Sequence, residues 1–280
     1  MPRIKIVTDS TCDLPDYLVK QLNIIVVPLK VYMDEEEFIA GIELSSEEFY
    51  KRMPKLKETP STSPPSTMEF YQAYEEAADE ADHIISIHIS RLMSETIVSA
   101  ENARMMLPSM DIRVFDSKTT GASLALVLIV ASMAINEGRN IDEVCAITEE
   151  AISKVRVVGY ASTLKYLIKG GRIGRARGLV GTLLNRIPIL SVYEGETSSL
   201  STVRGVDNAI DWIIEFLREE GLNADSIISL THGDIPDVAD IFRERVRKEF
   251  NCDTIFLGLI GPVVGAHLGP GALYFSYVKN

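Results

Sequence analysis

No GxxxxGK[ST] phosphate loop, no GxSxG turn and no HExxH pair occurs in this 280-residue chain. These absences argue against a P-loop nucleotide enzyme, an α/β-hydrolase and a zinc protease. Cysteine is scarce: Cys12, Cys145 and Cys252 lie far apart, are odd in number and form no CxxC. That excludes a disulfide framework or a cysteine zinc site and suits reduced thiols. Positive charge is in deficit, with 28 Lys and Arg against 40 Asp and Glu, a formal net charge of −12. Such a surface repels phosphate backbones and anionic headgroups, so neither nucleic acid nor a membrane surface is expected as the main partner. A small anionic ligand is still allowed, because a local cluster of donors outweighs a distant net field. Long apolar runs are missing as well. The longest, Ala122–Ile135, is too short to span a bilayer and is interrupted by Ser123 and Ser132, so it reads as a buried core helix. The opening MPRIKIVTDS has no signal-peptide apolar region. A cytoplasmic protein with no integral membrane segment is the expectation.

What is present is an alternation of strands and helices. Ile4–Thr8 is a short apolar run ending in Asp9-Ser10, as a buried parallel strand would. A helix over Asp13–Leu22 and a strand at Ile24–Leu29 follow. Ser45 with Glu48, and Ser66 with Glu69, are capping boxes that open helices, the second running from Thr67 to about Ala81. Between them Lys55–Pro65 reads as a loop. His83–Ile89 is a strand, Glu95–Met106 a helix, Ile112–Phe115 a strand. Asn140 and Glu143 cap another helix, and Val155–Ala161 is strand-like. In the second half a short helix leads to Gly170-Gly171-Arg172-Ile173-Gly174-Arg175, and a further helix is expected to Asn185. Glu194-Gly195-Glu196 is a hairpin turn between strands Ile187–Tyr193 and Ser199–Arg204. Helix Val206–Glu219, strand Ser226–Thr231, helix Val238–Phe250 and strand Thr254–Leu257 complete the pattern. The expected class is α/β with two domains. Residues 1–160 form a mostly parallel sheet flanked by helices, and residues 161–280 a second α/β domain.

His83 and His88 fall at odd separation on one strand, so their side chains point to opposite faces and cannot share a metal. Three loops stand out. Ser61-Thr62-Ser63-Pro64-Pro65-Ser66 is dense in hydroxyls and stiffened by proline before a helix N-terminus. Ser90-Arg91-Leu92-Met93-Ser94-Glu95-Thr96 follows a strand and opens a helix, the sheet edge where ligands bind in open α/β folds; Ser94 is placed as an N-cap or an anion ligand. Gly261 to Gly271 brackets His267 with four glycines and two prolines, a backbone-rich loop suited to close approach. Each loop alone also fits ordinary capping or turn chemistry.

Taken in order, these segments resemble the DegV family, which includes the acyl-binding subunit of bacterial fatty acid kinase. The resemblance covers nearly the whole chain. It is carried by Ile6-Val7-Thr8-Asp9-Ser10-Thr11, Thr62-Ser63-Pro64-Pro65-Ser66, Met93-Ser94-Glu95-Thr96, Lys169-Gly170-Gly171-Arg172-Ile173, Pro188-Ile189-Leu190 and Gly265-Ala266-His267-Leu268-Gly269-Pro270-Gly271. It implies a long-chain fatty acid, such as palmitate or stearate, lying in a tunnel between two domains with its carboxylate on the hydroxyls of Thr62 and Ser94. No cofactor and no catalytic residue are implied. The neighbouring Ser63 and Glu95, with His267 and Arg172, join the candidate ligand-binding set. Arg172 and Arg204 are candidates for the surface of a partner, a separate ATP-dependent fatty acid kinase that would turn the bound acid into acyl phosphate.

Two positions depart from the family pattern. Glu95 stands where the family has glycine, and Pro64 where it has glutamine. Candidate tunnel walls lie in Ala122–Ile135, Val157–Leu167 and Leu179–Leu184, though plain core packing explains most of these residues. Two other readings stay open: an enzyme acting on a small anionic or phosphorylated substrate through the Gly170–Arg175 loop, and a regulatory binder whose lipid serves only folding.

Overall fold

The computed structural model describes residues 3–181 and 184–279. In chain order the elements are β1 (Ile4–Asp9), α1 (Asp16–Gln21), β2 (Ile24–Val27), β3 (Lys30–Met33), β4 (Glu36–Ile39), α2 (Ser46–Arg52), β5 (Ser61–Ser63), α3 (Thr67–Glu80), β6 (His83–His88), α4 (Thr96–Met106), β7 (Asp111–Asp116), α5 (Ala122–Asn136) and α6 (Ile141–Lys154). Then come β8 (Val155–Tyr160), α7 (Lys165–Lys169), β9 (Ile187–Tyr193), β10 (Glu196–Val203), α8 (Val206–Glu219), β11 (Ile228–His232), α9 (Pro236–Phe250), β12 (Leu257–Leu259), α10 (Pro262–Leu268) and β13 (Leu273–Val278).

The first sheet has the order β2-β1-β6-β7 and every pair in it is parallel. Its central strands bury apolar residues on both faces, Ile6, Ile85 and Ile87 on one and Val7 and Ile84 on the other, as a parallel sheet covered by helices requires. The second sheet, β10-β9-β8-β13-β11-β12, is mixed. Its β9–β10 hairpin turns on Glu194 and Gly195, both at positive φ, a geometry that matches the twist of the flanking strands. Strand β8 hydrogen-bonds to β9 and β13, so sheet membership changes at Val155.

Helix α5 lies between the two sheets, packed on β1 from one side and on β8, β11 and β13 from the other. Leu124, Ala125, Leu126, Val127 and Leu128 are all fully buried. A helix enclosed on every side shows no amphipathic period, which accounts for its continuous apolar sequence.

Several segments differ from the sequence expectation. Strands β3, β4 and β13 fall where none was expected, and α1 begins at Asp16 instead of Asp13. Ser61–Ser63, expected within a loop, is β5, the third strand of a small antiparallel sheet with order β4-β3-β5. Its partner β3 is some thirty residues away, and strand propensity is decided by such non-local pairing. The strand expected at Thr254–Leu257 sits at Leu257–Leu259. The glycine-rich stretch at 261–271 holds α10, begun by Pro262 in its first turn and ended at Gly269, φ 76°. The helix expected to reach Asn185 is a 3-10 helix over Gly174–Leu179, and residues 182–183 lie outside the described part.

Candidate functional site

The loops after β1, β6 and β7 leave the first sheet at one edge, its carboxyl edge. They contribute Thr11 and Asp13, then Ile89, Met93 and Ser94, then Thr120 and Gly121, to the wall of a single cavity. The second sheet closes it from the other side with Val157, Ser191, Val192, Tyr274 and Ser276. Alternation along β13 explains this choice. Tyr274 and Ser276 face the cavity, while Leu273, Phe275 and Tyr277 pack beneath α8 and α9. Helix α10 forms a third wall through Val263, Val264, His267 and Leu268. About 80 Å³ of the cavity admits the centre of a water molecule, which makes it a narrow slot. Most of its wall is apolar carbon.

One end of the slot is polar. Thr62 Oγ1 lies 2.9 Å from His267 Nε2, joining β5 to α10 across 205 residues of sequence. Arg172 donates from Nε to the Met93 carbonyl at 3.0 Å and from Nη1 to the Gly170 carbonyl. These bonds use two of its five N–H groups. The guanidinium thereby ties the loop after β6 to the segment after α7. His267 Nδ1 is buried without a partner among the described residues. Burial first, and then the nearby Arg172 charge, lower the His267 pKa to about 4, so the ring is neutral at pH 7.

Thr62, Ser94, Arg172 and His267 thus line one cavity. Ser94 does not serve as the N-cap of α4; that position is Glu95, whose side chain makes no cap bond. Instead Ser94 Oγ accepts from the Thr96 N–H at 3.3 Å and pairs with Thr96 Oγ1 at 2.8 Å. Ser63, Glu95 and Arg204 do not line the cavity. Ser63 alternates with Thr62 along β5 and meets Tyr32 Oη at 3.2 Å, while Glu95 and Arg204 are exposed. The proposed walls contribute Ala122, Val157 and Leu167; the rest of those described segments pack elsewhere.

In the Gly170–Arg175 loop, Arg175 is already bound to Glu194 at 2.8 Å and Glu196 at 3.1 Å on the hairpin. Arg172, the other cation of this loop, lines the cavity instead. His83 pairs with Asp111 at 2.8 Å, and His88 is wholly buried, on opposite sides of β6.

Sequence reasoning passed over a buried polar chain behind the cavity. Asp9 accepts from Thr11 Oγ1 at 2.6 Å, from its N–H at 3.0 Å and from the Ile89 N–H at 3.0 Å, and it bonds His88 Nδ1 at 3.0 Å. His88 Nε2 meets Ser86 Oγ at 2.6 Å, which meets Tyr74 Oη at 2.8 Å. Asp9, Tyr74, Ser86 and His88 are wholly buried, and their effect is to fix the two loops that carry Thr11 and Ile89. Asp13 was also missed, although it follows the recognised Asp9-Ser10 segment directly. Its carboxyl is buried at the cavity wall. Burial raises its pKa to about 8, opposed by the Gly261 amide, which lies close but outside hydrogen-bond geometry.

Known proteins match this chain over nearly its whole length. A DegV family domain from Caldanaerobacter subterraneus subsp. tengcongensis is 34% identical over 275 residues, 97% of each chain. A solved DegV family protein from Thermus thermophilus, described as binding fatty acid, superposes with a TM-score of 0.93 at 31% identity, covering 99% of this chain and 100% of that one. DegV of Bacillus subtilis, described as a fatty acid binding protein, gives 0.91 at 30% identity with both chains wholly covered. The family model for uncharacterised proteins of the DegV family matches residues 3–280. With fold and sequence matched over nearly its whole length, the chain belongs to the DegV family.

Proposed function

We propose that this protein binds one long-chain fatty acid, its tail in the slot between the halves 1–160 and 161–280 and its carboxylate on Thr62 and Ser94. The observation that carries this reading is the Thr62–His267 hydrogen bond at one end of a cavity whose wall is mostly apolar. A neutral His267 has one N–H. Placed on Nε2, it donates to Thr62 Oγ1 and leaves the Thr62 hydroxyl hydrogen free for a carboxylate oxygen. Ser94 supplies a second hydroxyl, and Arg172 a charge that offsets the cost of removing the carboxylate from water. Burial of the tail stabilises the complex by roughly 0.8 kcal/mol per CH₂, so a long chain outweighs the head-group cost several times over. Binding of fatty acid by the Thermus and Bacillus relatives supports the same reading.

Such a site holds an acid without transforming it. The role that follows is a carrier that presents the carboxylate to a separate ATP-dependent kinase for conversion to acyl phosphate, with exposed Arg204 on the partner surface. Native mass spectrometry of the purified protein, with solvent extraction of what it carries, tests the binding. An added mass matching palmitate or stearate is expected, weakened by Thr62→Val and by Ser94→Ala. A protein that stays empty in the presence of added palmitate overturns the proposal.

A further inference from the structure

The far part of the same slot carries polar groups that a plain hydrocarbon tail has no use for. Both carboxyl oxygens of Asp13, Oγ1 of Thr120 and Oγ of Ser276 are buried with no hydrogen-bond partner among the described residues. All three residues line the cavity. A buried donor or acceptor left unmade is destabilising, so an apolar wall would serve an alkyl chain better at each position. Asp13 and the Thr120 segment are neighbours: a β-carbon on Gly121 would lie 3.5 Å from Asp13 Oδ2. On its other side, Oδ1 sits against Gly261, just ahead of α10. His267 is at the opposite end of α10. At 1.5 Å per residue, Asp13 is separated from the carboxylate site by roughly 9 Å of helix, and Ser276 faces the same cavity from the second sheet.

We infer that Asp13, Thr120 and Ser276 form a second polar subsite that takes a hydroxyl borne partway along the acyl chain, making hydroxylated long-chain fatty acids preferred ligands. The inference rests on the fatty acid reading above and narrows its substrate class. A hydroxyl both donates and accepts, and so do the three groups offered to it, since a carboxyl held neutral by burial carries its own O–H. A saturated tail in the same place leaves all of them unmade.

The test is competitive loading of the full chain with an equimolar mixture of stearic acid and a positional series of hydroxystearic acids, followed by native mass spectrometry. At least one isomer is expected to be retained over stearate by about tenfold, the ratio that 1.4 kcal/mol produces. In the Thr120→Val, Ser276→Ala double variant, that ratio should fall toward one while stearate retention holds. Equal or poorer retention of every isomer beside well-retained stearate overturns the inference and leaves fatty acid binding intact. Retention of neither overturns both. The wild-type ratio decides the matter even if the double variant does not fold, and each single variant then serves in its place.

Discussion

Gly170 makes room for His267: a β-carbon at position 170 would lie 2.1 Å from His267 Nδ1 and 2.8 Å from Cε1. The glycine has an ordinary φ of −77°, so its requirement is steric and comes from the partner ring. Helix α7 ends at Gly170 and α10 carries His267, so the contact sets how these two elements meet at the polar end of the slot.

Gly170→Ala should therefore displace the imidazole and break its bond to Thr62. A loss of fatty acid affinity of at least tenfold is expected, with the fold retained. Gly178→Ala is the control, because a β-carbon there meets nothing within 4 Å. Isothermal titration with palmitate on both variants checks this, and equal affinities would remove His267 from the head-group site.

His267 gives the unliganded protein a defined acid sensitivity. Burial lowers its pKa from 6.5 in the unfolded chain to about 4 in the fold. The unfolded state then binds the proton first, so stability is complete above pH 6.5 and declines as the pH falls toward 4. The contribution at stake is up to about 3 kcal/mol. Urea midpoints measured from pH 7 to pH 4 should fall less for His267→Gln, which cannot take up the proton.

Asp13 acts in the opposite sense. Its pKa is raised from 3.8 to about 8 by burial, so between these values the folded state holds a proton that the unfolded state has lost. Stability contributed by the neutral carboxyl is thus lost as the pH rises from about 4 to about 8. Asp13→Asn keeps the shape, tolerates the left-handed backbone at φ 52° and does not ionise. Its urea midpoint relative to wild type should climb across this range; a constant difference would mean that the wild-type carboxyl ionises normally.

The Asp9–His88–Ser86–Tyr74 chain holds the loops that carry the cavity wall. His88→Ala leaves a buried carboxylate short of one partner and opens space beside Phe70, whose ring is 4.9 Å away. A destabilisation of roughly 3 kcal/mol is expected, read as a lower urea midpoint. Asp9 and His88 being catalytic instead would show as lost function at unchanged stability.

Sequence alone determined the alternation of strands and helices, the helix caps at Ser66 and Asn140, the hairpin at Glu194-Gly195 and the burial of α5, while the box expected at Ser45 forms only its bond from the Glu48 N–H. These are local: a cap is set by a side chain three residues away, a turn by two residues at positive φ, and burial by an unbroken apolar run. The family pattern also pointed to Thr62, Ser94, Arg172 and His267. Only the tertiary structure decided that these four line one slot, that Ser63 turns away from it and that Ser94 bonds Thr96 instead of capping α4. It also decided that β5 is a strand and that Asp13 is a buried carboxyl, because both depend on partners far along the chain. Pairing to β3 and enclosure by Gly121 and Gly261 are long-range events that residue order does not encode locally.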